Sequence, residues 1–341
     1  MASSSAPWVC SVGTALPPHW VDQESLIAIF RELWAREHFN LERIEELHRS
    51  VQVGGRYLAL PLDEYRPLEK FSQRNDAFQR VSLEVGELAV RRALDGAGLL
   101  PRDVDHLFFV TVTGIATPSL DARLVNRLGL RPDVKRTPIF GLGCVAGAAG
   151  TARATDSLRA YPDQVAVMLS VELCSLTLQR EDVSIPNIIA SGLFGDGAAA
   201  VVLSGGERVP SHRAPRIVAT RSVFYPDTER IMGWDVVEGG FKVVLSAKVP
   251  TLVSEHVRGD VDGFLAAHGL QRAPTSATGS PTPVGPRCCR RSSRRWSFLR
   301  RRCSGRGTRF ARPGTSRRPQ CSSCSEISWA PVRPGRVTAA C

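Results

Sequence analysis

The chain has 341 residues, of which 43% are hydrophobic, so it is long and apolar enough to bury one large core or two fused halves. This composition excludes a chain that is disordered throughout. The N-terminal segment has neither the basic start nor the continuous apolar run of a secretory signal, and no stretch of about 18 apolar residues predicts a membrane helix. We therefore expect a soluble, cytoplasmic protein that does not act at a membrane.

The net charge of +11 is not spread evenly along the chain. Residues 271–341 hold 16 arginines, no lysine and one acidic residue, which gives this segment +15 and leaves −4 for residues 1–270. A slightly acidic body argues against a nucleic-acid partner. Six of the nine cysteines also lie in the last segment. The other three, Cys10, Cys144 and Cys174, are scattered, which is typical of a reducing compartment without a disulfide framework.

Helix and strand patterns alternate along the first part of the chain. Apolar side chains recur at helical spacing over residues 75–97, and the short β-rich run 106–113 predicts a buried strand. A helix over Leu120–Leu128 follows. Three further strands are predicted over 137–142, 164–171 and 198–203. This alternation predicts an α/β fold with a largely buried sheet.

A polar connection after Gly205 and Gly206 separates two parts of the chain. Beyond it, the run 216–225 predicts a strand that opens a second half, and residues 249–270 predict another amphipathic helix. After residue 270 no periodic pattern remains, and a composition of Arg, Ser, Pro, Gly and Cys predicts disorder. We therefore divide the chain into residues 1–205, residues 206–270 and a tail over 271–341.

The string GLGCVAGAAG, residues 141–150, follows a predicted strand and precedes a small-residue segment with helical character. Gly141, Gly143 and Ala146 satisfy the relaxed form of the dinucleotide fingerprint, which would suit a nicotinamide-dependent oxidoreductase. That fingerprint also needs an acidic residue about 20 positions further on, and Glu172 comes later than this. The nucleotide interpretation is therefore weak.

The alternative is that the turn presents Cys144 as a nucleophile. A cysteine at the junction of a strand and a helix lies near unpaired backbone N–H groups and the positive end of the helix dipole, which lower a thiol pKa. A cysteine in an apolar setting can equally be an inert core residue. The residues around Cys144 leave both interpretations open.

Several longer strings resemble one enzyme family. FGLGCVAGAAGTARA, with VTGIATPSLDARLVNRLGLRPDVKR before it and SVELCSLTLQRED after it, is similar to the bacterial type III polyketide synthases, relatives of plant chalcone synthase. SGLFGDGAAAVVL and FYPDTERIMGWDVVEGGFKVVLS resemble the same family. The resemblance covers about residues 8–270. It implies a thiolase fold, in which two similar α/β halves are layered α-β-α-β-α, and a homodimer; the second half of this chain would be incomplete.

The resemblance also assigns roles to residues. It makes Cys144 the nucleophile that takes an acyl group from an acyl-CoA starter, which malonyl-CoA then extends, without a bound cofactor or metal. Phe194 matches the aromatic residue that lines the reaction pocket, although an ordinary core phenylalanine would fit its pattern equally well. We expect Gly195 and Gly197 to permit a tight turn that the Asp196 side chain holds by bonds to the backbone.

The family also uses a histidine in an HPGG motif and an asparagine in a GN-[LM]-SS motif, and this sequence contains neither. The family mechanism needs them because malonyl-CoA loses CO2 and the resulting enolate oxygen requires hydrogen-bond donors. Without them the resemblance predicts a chain that is inactive or impaired as a synthase.

An arginine-rich tail without lysine or periodicity is what a GC-rich coding region gives when it is read out of frame. Codons can be chosen for residues 277–289 that read HWIAHPGGAQVL from the third base, and residues 313–325 then read GNLSSPSVLFVL in the same frame. We hypothesise a frameshift near residues 271–274. The histidine codon would span Pro281 and Thr282, and the asparagine codon would span Gly314 and Thr315.

Other interpretations remain. The tail could be an Arg-rich nucleic-acid arm, or Cys321 and Cys324 could bind zinc, but lysines, a second cysteine pair and a suitably spaced histidine are all missing. For the whole chain, a ketoacyl-ACP synthase III-like condensing enzyme uses the same type of cysteine chemistry. A non-catalytic subunit or decoy that dimerises with an intact relative belongs to a different class.

Overall fold

The computed structural model describes residues 6–35 and 40–271. Their helices are α1 Gln23–Trp34, α2 Leu41–Ser50, α3 Leu62–Tyr65, α4 Phe71–Ala97, α5 Leu120–Leu128, α6 Ala146–Ala160, α7 Ile185–Leu193 and α8 Val249–Ala267. Their strands are β1 Trp8–Ala15, β2 His19–Asp22, β3 Gly55–Leu58, β4 His106–Thr111, β5 Lys135–Phe140, β6 Val165–Leu173, β7 Asp196–Ser204, β8 Met232–Val237 and β9 Gly240–Leu245. None of the helices described is long and apolar enough to cross a membrane.

A five-stranded mixed sheet organises the first half, in the order β1-β7-β6-β4-β5. β6, β4 and β5 run parallel, whereas β7 is antiparallel to both of its neighbours. Parallel neighbours need crossover connections, and helices α5 and α6 supply them. β5 therefore lies at one edge of the sheet, and its last residue, Phe140, leads directly into the turn that holds Cys144.

The two faces of this sheet are covered by different helices. On one face Val167, Leu169 and Val171 of β6 pack in a cluster with residues of α4 and α5. On the other face Met168 packs against α6, where a Cβ added to Gly150 would lie 3.0 Å from Val110 Cγ1. The small residues at the start of α6 thus allow the helix to pack closely against the sheet. The first half is a helix-sheet-helix sandwich, as the α/β prediction requires.

A third cluster packs α1, α2 and α7 together, outside the main sheet. Trp34 is fully buried in it, and its indole Nε1 donates to the Arg180 carbonyl at 2.8 Å. His48 is also buried, with its Nε2 2.8 Å from the Ile188 carbonyl oxygen. Burial lowers the pKa of His48 to about 4, so this histidine is neutral at physiological pH. It is a structural residue of the helix cluster.

Beyond residue 206 the structure contains two strands that were not predicted, and one predicted helix ends earlier than expected. β8 and β9 form a separate two-stranded sheet, and α8 ends at Ala267, three residues before the predicted end of the helix at residue 270. The predicted strand over 216–225 is wrong. Within the described residues this segment pairs with the sheet through a single bridge, between Trp8 and Arg216. A β-rich run becomes a strand only when a neighbouring strand accepts its hydrogen bonds along its whole length.

The division at residues 205 and 206 stays a prediction, as does the assignment of residues 206–270 to a second half. The predicted disordered tail, the Cys321 and Cys324 pair and the two shifted-frame motifs fall on residues 272–341, outside the described part of the chain.

Truncating Leu169 to alanine tests how much the sheet depends on its central strand. Leu169 is fully buried on β6 between α4 and the neighbouring strands, so Leu169→Ala is expected to lower the free energy of unfolding by about 2–5 kcal/mol. Leu100→Ala is the matched control, because Leu100 is 49% exposed. Urea denaturation measures both variants, and an equal loss in the two would contradict this account of the core.

Candidate active site

The turn between β5 and α6 carries Cys144. Gly141 and Gly143 have φ angles of +94° and +59°, in the left-handed region where residues with a side chain are strained. A short 3-10 turn over Gly143–Val145 follows, and α6 begins at Ala146. The predicted junction of strand, glycine turn and helix is therefore confirmed. The two glycines let the chain turn sharply enough to place Cys144 just before the first turn of α6.

Cys144 itself is exposed. Its neighbours on the surface are apolar, and Phe140 and Val145 are 54% and 57% exposed. A reagent from solvent can therefore reach the residue, while the surrounding apolar atoms still remove part of the water from its sulfur. The interpretation of Cys144 as an inert core residue does not fit this position.

The predicted lowering of the Cys144 pKa is wrong for the described structure. Partial burial raises the pKa of this thiol, and the nearby Glu172 carboxylate raises it further. The sequence argument counted the backbone N–H groups and the dipole of α6 but did not include a carboxylate that packing brings close. A low thiol pKa needs a cationic partner or a dominant helix dipole, and the negative charge of Glu172 acts in the opposite sense.

Glu172 is the residue near Cys144 that the sequence argument missed as a member of the site. It lies near the end of β6, and its carboxylate accepts from the Val112 backbone N–H at 3.1 Å and from Thr113 Oγ1 at 2.7 Å. Burial raises the pKa of Glu172 to about 7 in spite of these donors. An acidic residue in the apolar strand VAVMLSVEL was the signal that could have identified it, since buried carboxylates mark functional sites.

Replacing Glu172 with glutamine is expected to make Cys144 more reactive. Above about pH 7 the Glu172 carboxylate is charged and opposes the thiolate, so Glu172→Gln should lower the pKa of Cys144. At about pH 8 the rate of alkylation by iodoacetamide should rise about three- to tenfold, whereas at about pH 6, where Glu172 is mostly protonated, the two rates should converge. Peptide mass spectrometry after timed quenching gives both rates.

Glu181→Gln is the matched control for this variant, because Glu181 is an exposed acid in the segment that follows β6. It should leave the alkylation rate at Cys144 unchanged. A Glu172→Gln protein with a wild-type rate at about pH 8 would show that the carboxylate does not act on the thiol.

Asp196 holds three segments together at the start of β7. Its carboxylate accepts from the Ala59 backbone N–H at 2.6 Å, from the Ser175 backbone N–H at 2.9 Å and from the Ser175 hydroxyl. Burial raises the pKa of Asp196 to about 6. These are bonds from a side chain to the backbone, as expected, but they reach other segments of the chain instead of closing the local turn around Asp196.

The neighbours of Asp196 also differ from the expected tight turn. Neither Gly195 nor Gly197 is among the described residues with a positive φ, and Gly197 lies inside β7. A Cβ added to Gly197 would lie 2.9 Å from Leu16 Cδ2, so a side chain there would have to displace the exposed Leu16 side chain that follows β1. Phe194 directly follows α7, and its carbonyl accepts from the Arg56 guanidinium at 2.9 Å. Its role as a pocket aromatic stays a prediction.

An open cavity of about 430 Å³ lies beside this part of the sheet. Glu172, Asp196 and the flanking glycines line one side, and β2 and β3 contribute Trp20 and Tyr57. Cys144 and Phe194 are outside this lining, although Cys144 interacts electrostatically with Glu172. Cys174 is half-buried, and the pKa of its thiol is raised well above the ordinary value, first by burial and then by Asp196 and Glu172. Its thiol is therefore protonated at neutral pH, and Cys174 is less exposed than Cys144.

The chain belongs to the chalcone and stilbene synthase family. A family model for the N-terminal domain of chalcone and stilbene synthases matches residues 1–207. The chain is 49% identical over 263 residues to a 1,3,6,8-tetrahydroxynaphthalene synthase of Streptomyces peucetius subsp. caesius, which covers 77% of this chain and 70% of that protein. It is also 37% identical over 272 residues to a putative chalcone synthase of Bacillus subtilis, covering 77% and 74%.

Solved structures agree with this assignment. The 1,3,6,8-tetrahydroxynaphthalene synthase of Streptomyces coelicolor A3(2), a bacterial type III polyketide synthase, superposes with a TM-score of 0.75 at 29% identity. The superposition covers 84% of this chain and 80% of that chain. A polyketide synthase of the brown alga Ectocarpus siliculosus gives 0.77 at 26% identity, covering 85% and 80%. The fold is therefore the α/β thiolase fold of type III polyketide synthases, and the chain is an acyltransferase of the chalcone synthase-like class.

Proposed function

We propose that Cys144 accepts an acyl group from an acyl-CoA starter, as in a type III polyketide synthase whose extender is malonyl-CoA. The observation that carries the proposal is the position of Cys144 in a chain of this family. Cys144 is exposed, and it lies between the turn formed by Gly141 and Gly143, which have positive φ, and the first turn of α6. We further propose that the protein works in the cytoplasm as a homodimer without a bound cofactor.

In the loading step the Cys144 thiolate attacks the thioester carbonyl of the acyl-CoA. A new carbon–sulfur bond forms, the bond to the CoA sulfur breaks, and CoA leaves as a thiolate that takes up a proton. α6 begins at Ala146, two residues after Cys144, and the Ala146 N–H donates to the Gly143 carbonyl. The next N–H groups of the first helical turn have no partners within the helix. They are suited to stabilise negative charge on the carbonyl oxygen during this transfer.

The condensation step needs more than the cysteine. Loss of CO2 from malonyl-CoA leaves an enolate whose negative charge must be met by hydrogen-bond donors. Glu172, the ionisable residue that acts on Cys144, carries the wrong charge for that purpose above about pH 7. The printed sequence has neither the HPGG motif nor the GN-[LM]-SS motif. We therefore propose that this chain can be acylated but does not condense.

The raised pKa of Cys144 favours a second candidate, a non-catalytic subunit that pairs with an intact relative. A protonated thiol reacts slowly, so such a chain would contribute its fold and not its chemistry. Copurification with an active synthase would support this function. A ketoacyl-ACP synthase III-like enzyme would instead perform one condensation on an acyl carrier protein, which product analysis distinguishes.

One experiment separates these functions. The purified chain is incubated with acetyl-CoA or a longer acyl-CoA, and then with malonyl-CoA, while intact mass, free CoA and released CO2 are measured. The proposal expects one acyl group per chain and no extended product. Robust polyketide formation would contradict the proposal that this chain does not condense. If no acyl adduct forms, the non-catalytic subunit becomes the better-supported function.

A further inference from the structure

One face of the five-stranded sheet is covered only in part. Val12 of β1 lies opposite Val201 of β7, which in turn lies opposite Met168 of β6. Residues that lie opposite each other on antiparallel strands share a face of the sheet. Met168 and Val201 pack in the cluster that contains residues of α6, so all three belong to the α6 face. Val201 is only half-buried and Val12 is 51% exposed, so α6 leaves the β1 side of this face open.

The opposite face of β1 is fully covered by α4. A Cβ added to Gly13 would lie 2.3 Å from the Ala89 carbonyl oxygen of α4, and Ala15 is buried on the same side. Sheets that contain parallel strands usually bury both of their faces. Among the described residues, β1 therefore has a covering helix on one face, whereas Val12 on the other face stays open to solvent.

Exposed apolar side chains continue this surface beyond the end of β1. Thr14 pairs with Ala199, and both line the cavity of about 430 Å³. Leu16 and Trp20 line the same cavity and are 52% and 54% exposed. We call Val12, Thr14, Leu16, Trp20 and Ala199 the open face. An exposed surface with several large apolar side chains is typical of an interaction site.

The relatives indicate what covers the open face. The chain matches 70% of its Streptomyces peucetius relative, so 30% of that protein (100 − 70) is unmatched. The matching family model is an N-terminal domain, and the sequence resemblance ends near residue 270, so the unmatched part is largely C-terminal. Residues 271–341 of this chain carry 16 arginines and no apolar period, which does not suit an apolar surface.

We propose that the open face docks the C-terminal part of a type III polyketide synthase, supplied by a second polypeptide. An apolar element packed beside α6 would bury Val12, Leu16 and Trp20 and complete the layer on this face of the sheet. The inference goes beyond the proposed function, because it requires a docking surface and not acyl transfer by Cys144. The docked part would bring the family's histidine and asparagine, the donors that condensation needs and that this chain lacks.

The test coexpresses the tagged full chain with the C-terminal 30% of the Streptomyces peucetius relative as a separate polypeptide. We expect the two to copurify. Val12→Asp places a charge on the open face and should weaken the association at least about tenfold, because an unpaired charge is costly to bury. Val236→Asp is the matched control, since Val236 is 77% exposed on β8, and it should change the association less than about twofold.

Circular dichroism and the rate of iodoacetamide alkylation at Cys144 check that the variants fold, and Leu16→Asp is the second variant in case Val12→Asp does not. Failure of the polypeptide to copurify with the wild-type chain, or equal association with Val12→Asp and Val236→Asp, would overturn the inference. Self-association of the full chain that only the open-face variants abolish would show a second copy as the occupant, which also overturns it. If the polypeptide binds while Cys144 takes no acyl group, the proposed function fails and the docking surface stands.

Discussion

Replacing Cys144 with alanine is expected to reduce acyl transfer from acyl-CoA by at least about a thousandfold, because within residues 6–35 and 40–271 Cys144 is the exposed cysteine, whereas Cys10 is buried and Cys174 is half-buried. The exposed position of Cys144 after the glycine turn is the structural reason. The measurement is the release of free CoA together with the mass of the intact chain after incubation with an acyl-CoA.

Cys174→Ala provides the matched control for this prediction. Cys174 lies near Cys144, but burial and the carboxyl groups of Asp196 and Glu172 keep its thiol protonated. The Cys174→Ala protein should therefore be acylated at close to the wild-type rate. An acyl adduct that persists in Cys144→Ala, or that disappears only in Cys174→Ala, would show that Cys144 is not the nucleophile.

Restoring the hypothesised reading frame after residue 271 is expected to give a chain that forms polyketide from malonyl-CoA. Under the frameshift hypothesis the shifted frame encodes both missing motifs, and a single donor to a developing oxyanion is worth about a hundred- to a thousandfold in rate. The chain with the restored frame should therefore form polyketide at least about a hundredfold faster than the chain with the present C-terminal sequence. Product formation from malonyl-CoA, followed by chromatography and mass spectrometry, measures the difference.

A restored chain in which the new HPGG histidine is changed to alanine is the control, and it should lose most of the gained activity. Sequencing of the gene around codons 268–276 supplies an independent check of the frameshift. A restored chain with no more activity than the printed one would contradict the frame hypothesis and the roles assigned to the two motifs.

The elements that the sequence predicted well have strong local patterns. α5 has the predicted bounds, and the predicted helix over 75–97 corresponds to α4, which begins at Phe71. β1 was not predicted, because its sequence WVCSVGTA mixes small and polar residues and its burial comes from long-range pairing with β7. The run 216–225 shows the opposite error, a predicted strand that does not form. Its residues favour a strand, but within the described residues it pairs with the sheet through one bridge, between Trp8 and Arg216.

The candidate site also has one part that the sequence predicts and another part that only the tertiary fold reveals. The glycine turn at Cys144 was predictable because residues with positive φ are mostly glycines, and both are visible in the sequence. The effect of Glu172 on Cys144 was not predictable, since it depends on packing between segments far apart in the chain, such as Glu172 and Thr113. The bonds of Asp196 to Ala59 and Ser175 are likewise a product of the tertiary fold.

The most direct test of the central claim is to locate the acyl group on the chain. Protein incubated with an isotopically labelled acyl-CoA is digested, and each cysteine peptide is analysed before and after treatment with hydroxylamine, which cleaves thioesters. We expect a hydroxylamine-sensitive label on the peptide that contains Cys144. A label confined to Cys10 or Cys174, or a Cys144 peptide that stays unmodified under conditions in which iodoacetamide alkylates it, would contradict the account.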